Sequence, residues 1–566
     1  MTNENTQRGD EDRFSGEKTP MPRGILDLIL PLLILALGVG LVLYYIIWPA
    51  AGYMTSDCTD SLRWAEATYK SGQLVSDNFY YAAILPFGGN LLFLPFVALF
   101  GYSMAAQISG LAVFALLFAA ALYYLATGVG LNRYCSAGLV AVFMLIMSSS
   151  AKLREIMWEH VFYYNLGLLF FCFGFGLACR ILREGGFVYE TGKRRASDWA
   201  RLAVFVVFVV LAATDGLQTL ICLTLPLVCG IFAERLFDAG ERIASKKNLM
   251  TLVVLASVIV ASTIGLALLG VISRGVSAGY ADAYSTYSAM SSWVDNFLSF
   301  PINWFSLLGV SVSAGDPLVS LESIYNMVGI FGGLILLAAP VVLLCRYNKI
   351  TNPAVKILLV GHFAVSAFIL FAVTFGKLGG ADWRLTPMLG TSVILSFVTA
   401  VELIKQKKVA ARAGALLLAA LIVMAAVPAI KIAGMSSDYG RENSWHVAAG
   451  ELEARGLEYG YANFWWAELI TMLSGGEVQV ANIAAGQPKP LPYKYQVPKD
   501  SFDDKDTDRY FLLLTESENA AMSAWLSAQR YAGKIVEEFT IESEPYNLRG
   551  YVGRQLYVYV FSENIF

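Results

Sequence analysis

The stretch from Ile84 to Gly101, ILPFGGNLLFLPFVALFG, decides how the chain threads a membrane. It is apolar enough to cross a bilayer. It also holds Pro86, Gly88, Gly89, Asn90 and Pro95, which remove or weaken helical hydrogen bonds. Backbone groups freed in lipid need partners from protein or water. The basic residues around it settle the placement. If 84–101 does not span, Lys18 and Arg23 of the N-terminal tail, Arg133, and the group Arg183, Lys193, Arg194, Arg195 and Arg201 share one side. Arg235, Arg242, Lys246 and Lys247 join them, as do Arg346, Lys349 and Lys356, then Lys405, Lys407, Lys408 and Arg412. The opposite loops carry fewer cations: Arg63 and Lys70, Lys152 and Arg154, Arg274, Lys377 and Arg384. Cytoplasmic loops carry the excess of Lys and Arg. The stretch therefore reads as an interfacial or re-entrant helix on the outer side.

Outward from it lie the apolar runs that do span. The first, Ile25 to Ile47, is too long for a signal-peptide core of roughly 7–15 residues and reads as an uncleaved span. Ten more fall near 105–127, 136–151, 161–181, 202–214, 217–233, 250–273, 326–345, 357–375, 385–404 and 413–431. The expected fold is thus an all-α polytopic membrane domain over 25–431, with about eleven transmembrane helices. Its long outer loops are 48–104 and 274–325. Composition agrees: of 566 residues 57% are hydrophobic and only 15% charged, against roughly 25% charge in soluble domains. The net charge is −3, with no basic tract of the kind that binds nucleic acid.

The two ends differ from this middle. Residues 1–24 are polar without apolar period and read as a disordered cytoplasmic tail. Residues 432–566 mix strand-like runs such as Tyr557-Val558-Tyr559-Val560 with a helical stretch from Glu518 to Ala532, stopped by Gly533. They read as a small α/β extracytoplasmic domain. This domain has no cysteine, and the chain's seven cysteines lie mostly in apolar runs, where they read as small buried hydrophobes.

Polar residues gather on the outer side. In the first loop, Asp57 and Asp60 stand three apart, on one face if helical, with Arg63 three further on. They read either as a reactive carboxylate pair or as helix N-caps. The second loop brings Lys152, Arg154, Glu155, Glu159 and His160, readable as a site or as interfacial anchors. Asp215 sits at a tight junction between two apolar runs, either functional or a hairpin turn. Arg384 enters a late span from the outer side. It could clamp a phosphate or pair with Asp382. There is no P-loop, HExxH or GxSxG motif.

This order of parts resembles the GT-C glycosyltransferases, in the branch of protein O-mannosyltransferases and lipid A aminoarabinose transferases. The resemblance rests on Asp60-Ser61-Leu62-Arg63-Trp64-Ala65-Glu66 followed by Ser71-Gly72, on the proline-containing segment Leu85 to Leu92, and on Arg384 with Pro387. The stretch Tyr459 to Trp466 is similar to outer domains appended to such bacterial enzymes. Two departures stand out: the acidic pair is not adjacent, and Leu385 replaces an aromatic. The resemblance implies a multi-pass cell-membrane enzyme with its N-terminus cytoplasmic. It would move a sugar from a polyprenyl-phosphate donor to a hydroxyl on a glycan, lipid or protein acceptor, on the outer face. Asp57 or Asp60 would be the general base. Arg384, with Arg63 and Arg154 behind it, would hold the phosphate, and Glu155 and Asp215 would line the sugar pocket. A hydroxyl acceptor and a monophosphate leaving group require no cofactor, although Glu155 and Asp215 could support a divalent cation. The rival readings are a secondary transporter, which should show inverted repeats, and a non-catalytic scaffold of cell-envelope assembly.

Overall fold

The computed structural model describes residues 25–184, 196–238, 249–276, 279–377, 379–406, 408–437, 444–542 and 555–566. The expected tail 1–24 and the basic groups around 193–195 and 242–247 lie outside them. Among the described residues, nine helices are long and apolar enough to cross a membrane. The chain is a multi-pass membrane protein. All eleven expected spans fall on helices, and two differ in form. The run expected at 136–151 becomes Arg133–Ile146, which turns through 119° into Ala151–Glu159. The run at 202–214 is the shorter helix Ala196–Ala213, apolar from Trp199. Pro86–Phe100 is a short apolar helix of 15 residues. At 1.5 Å per residue it is about 22 Å long, less than the roughly 30 Å of a hydrocarbon core.

The bundle is built around Thr386–Ile404, buried along nearly its whole length. It packs on Val409–Ala433, Leu321–Leu344, Pro353–Phe375 and Tyr163–Glu184. The outer helices turn long apolar side chains away from the bundle: Ile324, Met327, Phe331 and Leu334 on one, Ile259, Val260, Ile264 and Val271 on another. Such rows suit lipid contact. Between helices, where lipid supplies no hydrophobic drive, small residues allow close approach. Gly230 is one: a Cβ there would stand 2.5 Å from the Ile357 carbonyl oxygen, at the contact of Leu225–Asp238 with Pro353–Phe375.

The C-terminal region forms a five-stranded mixed sheet in the spatial order Gln479–Ile483, Tyr459–Asn463, Tyr510–Thr515, Gln555–Phe561, Ile535–Glu542. The first two pairs are parallel and the last two antiparallel. Helix Phe464–Leu473 joins the two parallel edge strands as a crossover. The expected helix 518–532 is divided at Met522 into Glu516–Ala521 and Ser523–Tyr531, with Gly533 left-handed just beyond. Phe464 and Trp466 are buried, and Trp466 stacks near Trp445. They serve as core.

Gly230→Val should lower the thermal unfolding midpoint in detergent, at a cost of about 1–3 kcal/mol for forced repacking. An unchanged midpoint would mean that the Leu225–Asp238 and Pro353–Phe375 helices are not in this contact.

Candidate active site

The first outer loop is shaped by its contact with the C-terminal domain. Ser56–Thr59 is a 3-10 turn leading into helix Asp60–Ser71, which ends at left-handed Gly72. Helix Phe464–Leu473 packs on that turn. Phe79–Tyr80 pairs antiparallel with Val497–Pro498, and the Trp64 indole donates to Gln496 Oε1 at 2.7 Å. Gln496 takes a left-handed backbone (φ 54°), uncommon for a residue with a side chain, to make this reach. At the seam, Arg63 pairs with Glu468 at 2.9 Å and Glu66 at 2.7 Å, and Lys70 pairs with Glu66 at 2.7 Å. The Tyr102 hydroxyl donates to Glu468 at 3.1 Å, and Arg63 lies over the Tyr102 ring. Burial pushes the Glu468 carboxyl up, against the pull of Arg63. Burial also works on Glu66, but Arg63 and Lys70 outweigh it and hold that carboxyl low. A cavity of about 240 Å³ lies beside this network, lined among others by Arg63, Tyr102, Tyr459 and Gln479. Arg63 is thus a strut between loop and domain.

Asp57 and Asp60 stand at the start of this helix. Asp60 is buried, and its Oδ1 has no hydrogen-bond partner. Burial, then the neighbouring Asp57, push its carboxyl well above the usual range. Asp57 is half-buried and lies near Tyr493 of the C-terminal domain.

The second outer loop is a helical corner, Ala151–Arg154 running into the π-turn Glu155–Glu159. Ser150 caps it by accepting from the Leu153 N–H. Glu155 is buried between Lys152 Nζ at 3.2 Å and His160 Nε2 at 3.4 Å. Cys58 of the first loop comes within 4.8 Å of both Glu155 and His160. The Arg154 guanidinium lies over the Tyr45 and Tyr53 rings and donates to the Ser148 carbonyl at 3.1 Å. The fifth loop closes on the same corner: Lys152 Nζ sits 4.5 Å from the Trp383 ring centre, within electrostatic reach of Asp382. Asp382 takes a hydrogen bond from Ser306 at 3.3 Å, so Arg384 is left to face the Tyr164 hydroxyl, with its own Nε unpartnered. Loops 55–60, 152–160 and 382–384 therefore converge.

Asp215 is placed differently from a pocket residue. Its two oxygens accept the N–H groups of Phe87 at 2.8 Å and Gly88 at 2.7 Å. It caps the first turn of Pro86–Phe100, where helix N–H groups otherwise lack partners. A Cβ on Gly88 would meet Asp215 Oδ2 at 2.8 Å and Leu166 at 2.6 Å, so this position needs glycine. The carboxylate anchors the short helix.

Cys58, Lys152, His160, Trp383, Glu468 and Gln496 belong to this region but not to the expected residues. Lys152 and His160 stand in the polar second-loop cluster, which is a legible signal. Glu468 and Gln496 lie more than 400 residues from their partners in a domain with no local motif, so nothing local marks them.

No protein-family profile matches the chain, and no curated protein does either. Solved structures do. The chain is similar to ArnT from Cupriavidus metallidurans in the apo state, with 10% identity, 94% of this chain and 97% of that chain covered, and a TM-score of 0.50. Looser overlaps are found with ArnT from the same organism bound to undecaprenyl phosphate (13% identity, 95% and 98% covered, TM-score 0.38). A further one is the archaeal oligosaccharyltransferase AglB from Archaeoglobus fulgidus, in complex with an inhibitory peptide and a dolichol-phosphate (12%, 93% and 76%, TM-score 0.46). The first likeness establishes the fold: the chain has the GT-C architecture.

Glu468→Ala should cost about 3–5 kcal/mol, because it leaves a buried Arg63 half-compensated. Limited proteolysis checks this: the variant should be cut between the bundle and the C-terminal domain faster than the wild type, and equal rates would contradict the strut.

Proposed function

We propose that the chain is a membrane glycosyltransferase that moves a sugar from a polyprenyl-phosphate donor to an acceptor hydroxyl on the outer face. The observation that carries this reading is the convergence of the three loops: carboxylates at 57 and 60, a cationic corner at Lys152 and Arg154, and the Arg384 entry. The GT-C fold shared with ArnT supports it, and so does the undecaprenyl phosphate seen bound to that protein. The basic loops described above argue for a cytoplasmic N-terminus and for an extracytoplasmic site and C-terminal domain.

In this reading the prenyl tail stays in lipid and the sugar faces water. The acceptor oxygen attacks the anomeric carbon as its proton passes to Asp57 or Asp60. The bond from that carbon to the phosphate oxygen breaks, and its electron pair leaves on the lipid phosphate. Asp60 has the features of a base: burial and Asp57 raise its affinity for a proton, and Oδ1 is free to take one. The leaving phosphate gains charge and needs a positioned cation. Arg384, with an unpartnered Nε, fits best, with Lys152 and Arg154 beside it. Arg63 is committed to Glu66 and Glu468. Glu155 remains at the sugar side of the corner.

Asp57→Asn and Asp60→Asn, made singly, are assayed in membranes with a polyprenyl-phosphate sugar. Loss of the base should cost about 10²–10⁴ in transfer rate for at least one variant. Full activity in both, at normal expression, would remove the assignment. A base with a raised pKa must also be deprotonated to work. Wild-type activity should therefore fall with decreasing pH at a midpoint above the ordinary carboxylate range, and a flat profile there would contradict Asp60.

Arg384→Ala should raise the donor concentration needed for half-maximal rate at least tenfold, the equivalent of about 1.4 kcal/mol. Unchanged donor dependence would exclude Arg384 from the phosphate site.

A further inference from the structure

The reaction above requires no metal, yet the corner where the first and second outer loops meet holds a set of donors of another kind. Cys58 Sγ, a Glu155 carboxylate oxygen and a His160 ring nitrogen lie within 4.8 Å of one another, and all three side chains are buried. His160 is 8% exposed, and its Nε2 has no hydrogen-bond partner although Glu155 Oε1 is 3.4 Å away. Glu159 completes the group, since its Oε2 lies 3.7 Å from Cys58 Sγ. We propose that Cys58, Glu155 and His160 form a binding site for a transition-metal cation of the zinc type, with Glu159 in reach as a fourth ligand.

The donor chemistry selects the metal class. One sulfur, one imidazole nitrogen and one or two carboxylate oxygens suit Zn²⁺ and its neighbours, whereas magnesium and calcium take oxygen sets. Tetrahedral zinc with bonds of about 2.0–2.3 Å places its ligand atoms roughly 3.5 Å apart. The present separations close to that by side-chain rotation. The surroundings support ligand roles. The Thr55 N–H points at Cys58 Sγ at 3.4 Å, as a donor to a thiolate would. Tyr45 donates to the other Glu159 oxygen. Gln107 Nε2 donates to the Cys58 carbonyl at 2.7 Å and reaches the Glu159 carbonyl at 3.4 Å, which fixes the two loops against each other. Outer contacts of this sort orient ligands in metal sites. Lys152 stands 3.2 Å from both oxygens of Glu155, so metal binding must leave it on one oxygen or move it toward Trp383. Cys58 adjoins Asp57. The ion would therefore stand between the carboxylate pair and the Lys152–Trp383 corner.

The test uses full-length protein in nanodiscs, stripped with a chelator and then titrated with Co²⁺ alone and with Zn²⁺ alone. Wild type should bind Zn²⁺ stoichiometrically, and Co²⁺ should give a thiolate-to-cobalt charge-transfer band that Zn²⁺ abolishes. Cys58→Ser should lose that band with an unchanged unfolding midpoint, and His160→Ala should weaken Zn²⁺ binding at least tenfold. The proposal is overturned if wild type takes up no more metal than Cys58→Ser, or if bound Co²⁺ shows no thiolate band. Should Cys58→Ser fail to fold, the wild-type cobalt spectrum decides alone. The readout is binding, so it is separate from sugar transfer: metal binding without transfer would count against the proposed function only, and transfer by metal-free protein without binding would count against this site only.

Discussion

The buried ion pair of Arg63 with Glu468 is the constraint on which the outer half of the molecule depends. Burying a guanidinium is costly unless its partners are close and well oriented. Here the charges alternate from Lys70 to Glu66 to Arg63 to Glu468, and the network is neutral as a whole. Tyr102 and Asn482 saturate Glu468 further. The consequence is geometric. Helix Asp60–Ser71 can take only one position against the C-terminal domain, so Asp60 at its first turn is fixed opposite Gln496. An interface held by burial alone would tolerate sliding; a paired guanidinium does not.

A second anchor works from the bundle. Asp215 holds the N-terminus of Pro86–Phe100, and Gly88 lets the carboxylate approach. The short helix follows the first loop directly, so the loop is tied at one end to the C-terminal domain and at the other to the spans. The converging loops are carried on these two fixed points. Such support is what a site needs if reacting groups are to be held in position.

Much of the architecture is legible in the sequence because lipid imposes simple rules. Apolar length marks the spans, and the distribution of Lys and Arg argues against a span at 84–101. The short helix found there agrees with that placement. Break points are harder to read. The 119° turn after Ile146 comes where Met147 to Ser150 interrupt a run that hydropathy alone carries on to 151. Site roles are less legible still. Asp215 and Arg63 are visible as unusual charges, yet their roles depend on partners that sequence spacing does not supply: two backbone N–H groups for one, a carboxylate 405 residues away for the other. Cys58 reads as packing because a thiol alone carries no signal; only the approach of Glu155 and His160 gives it another meaning.

The central claim is that three outer loops form one pocket for a lipid-linked sugar monophosphate. The most direct measurement is a cryo-EM structure of the protein in nanodiscs with a polyprenyl monophosphate. The account predicts phosphate density in the corner formed by Arg384, Lys152 and Arg154, with the prenyl chain leaving along the bundle surface into lipid. Phosphate density elsewhere, with this corner unchanged and empty at saturating lipid, would contradict it.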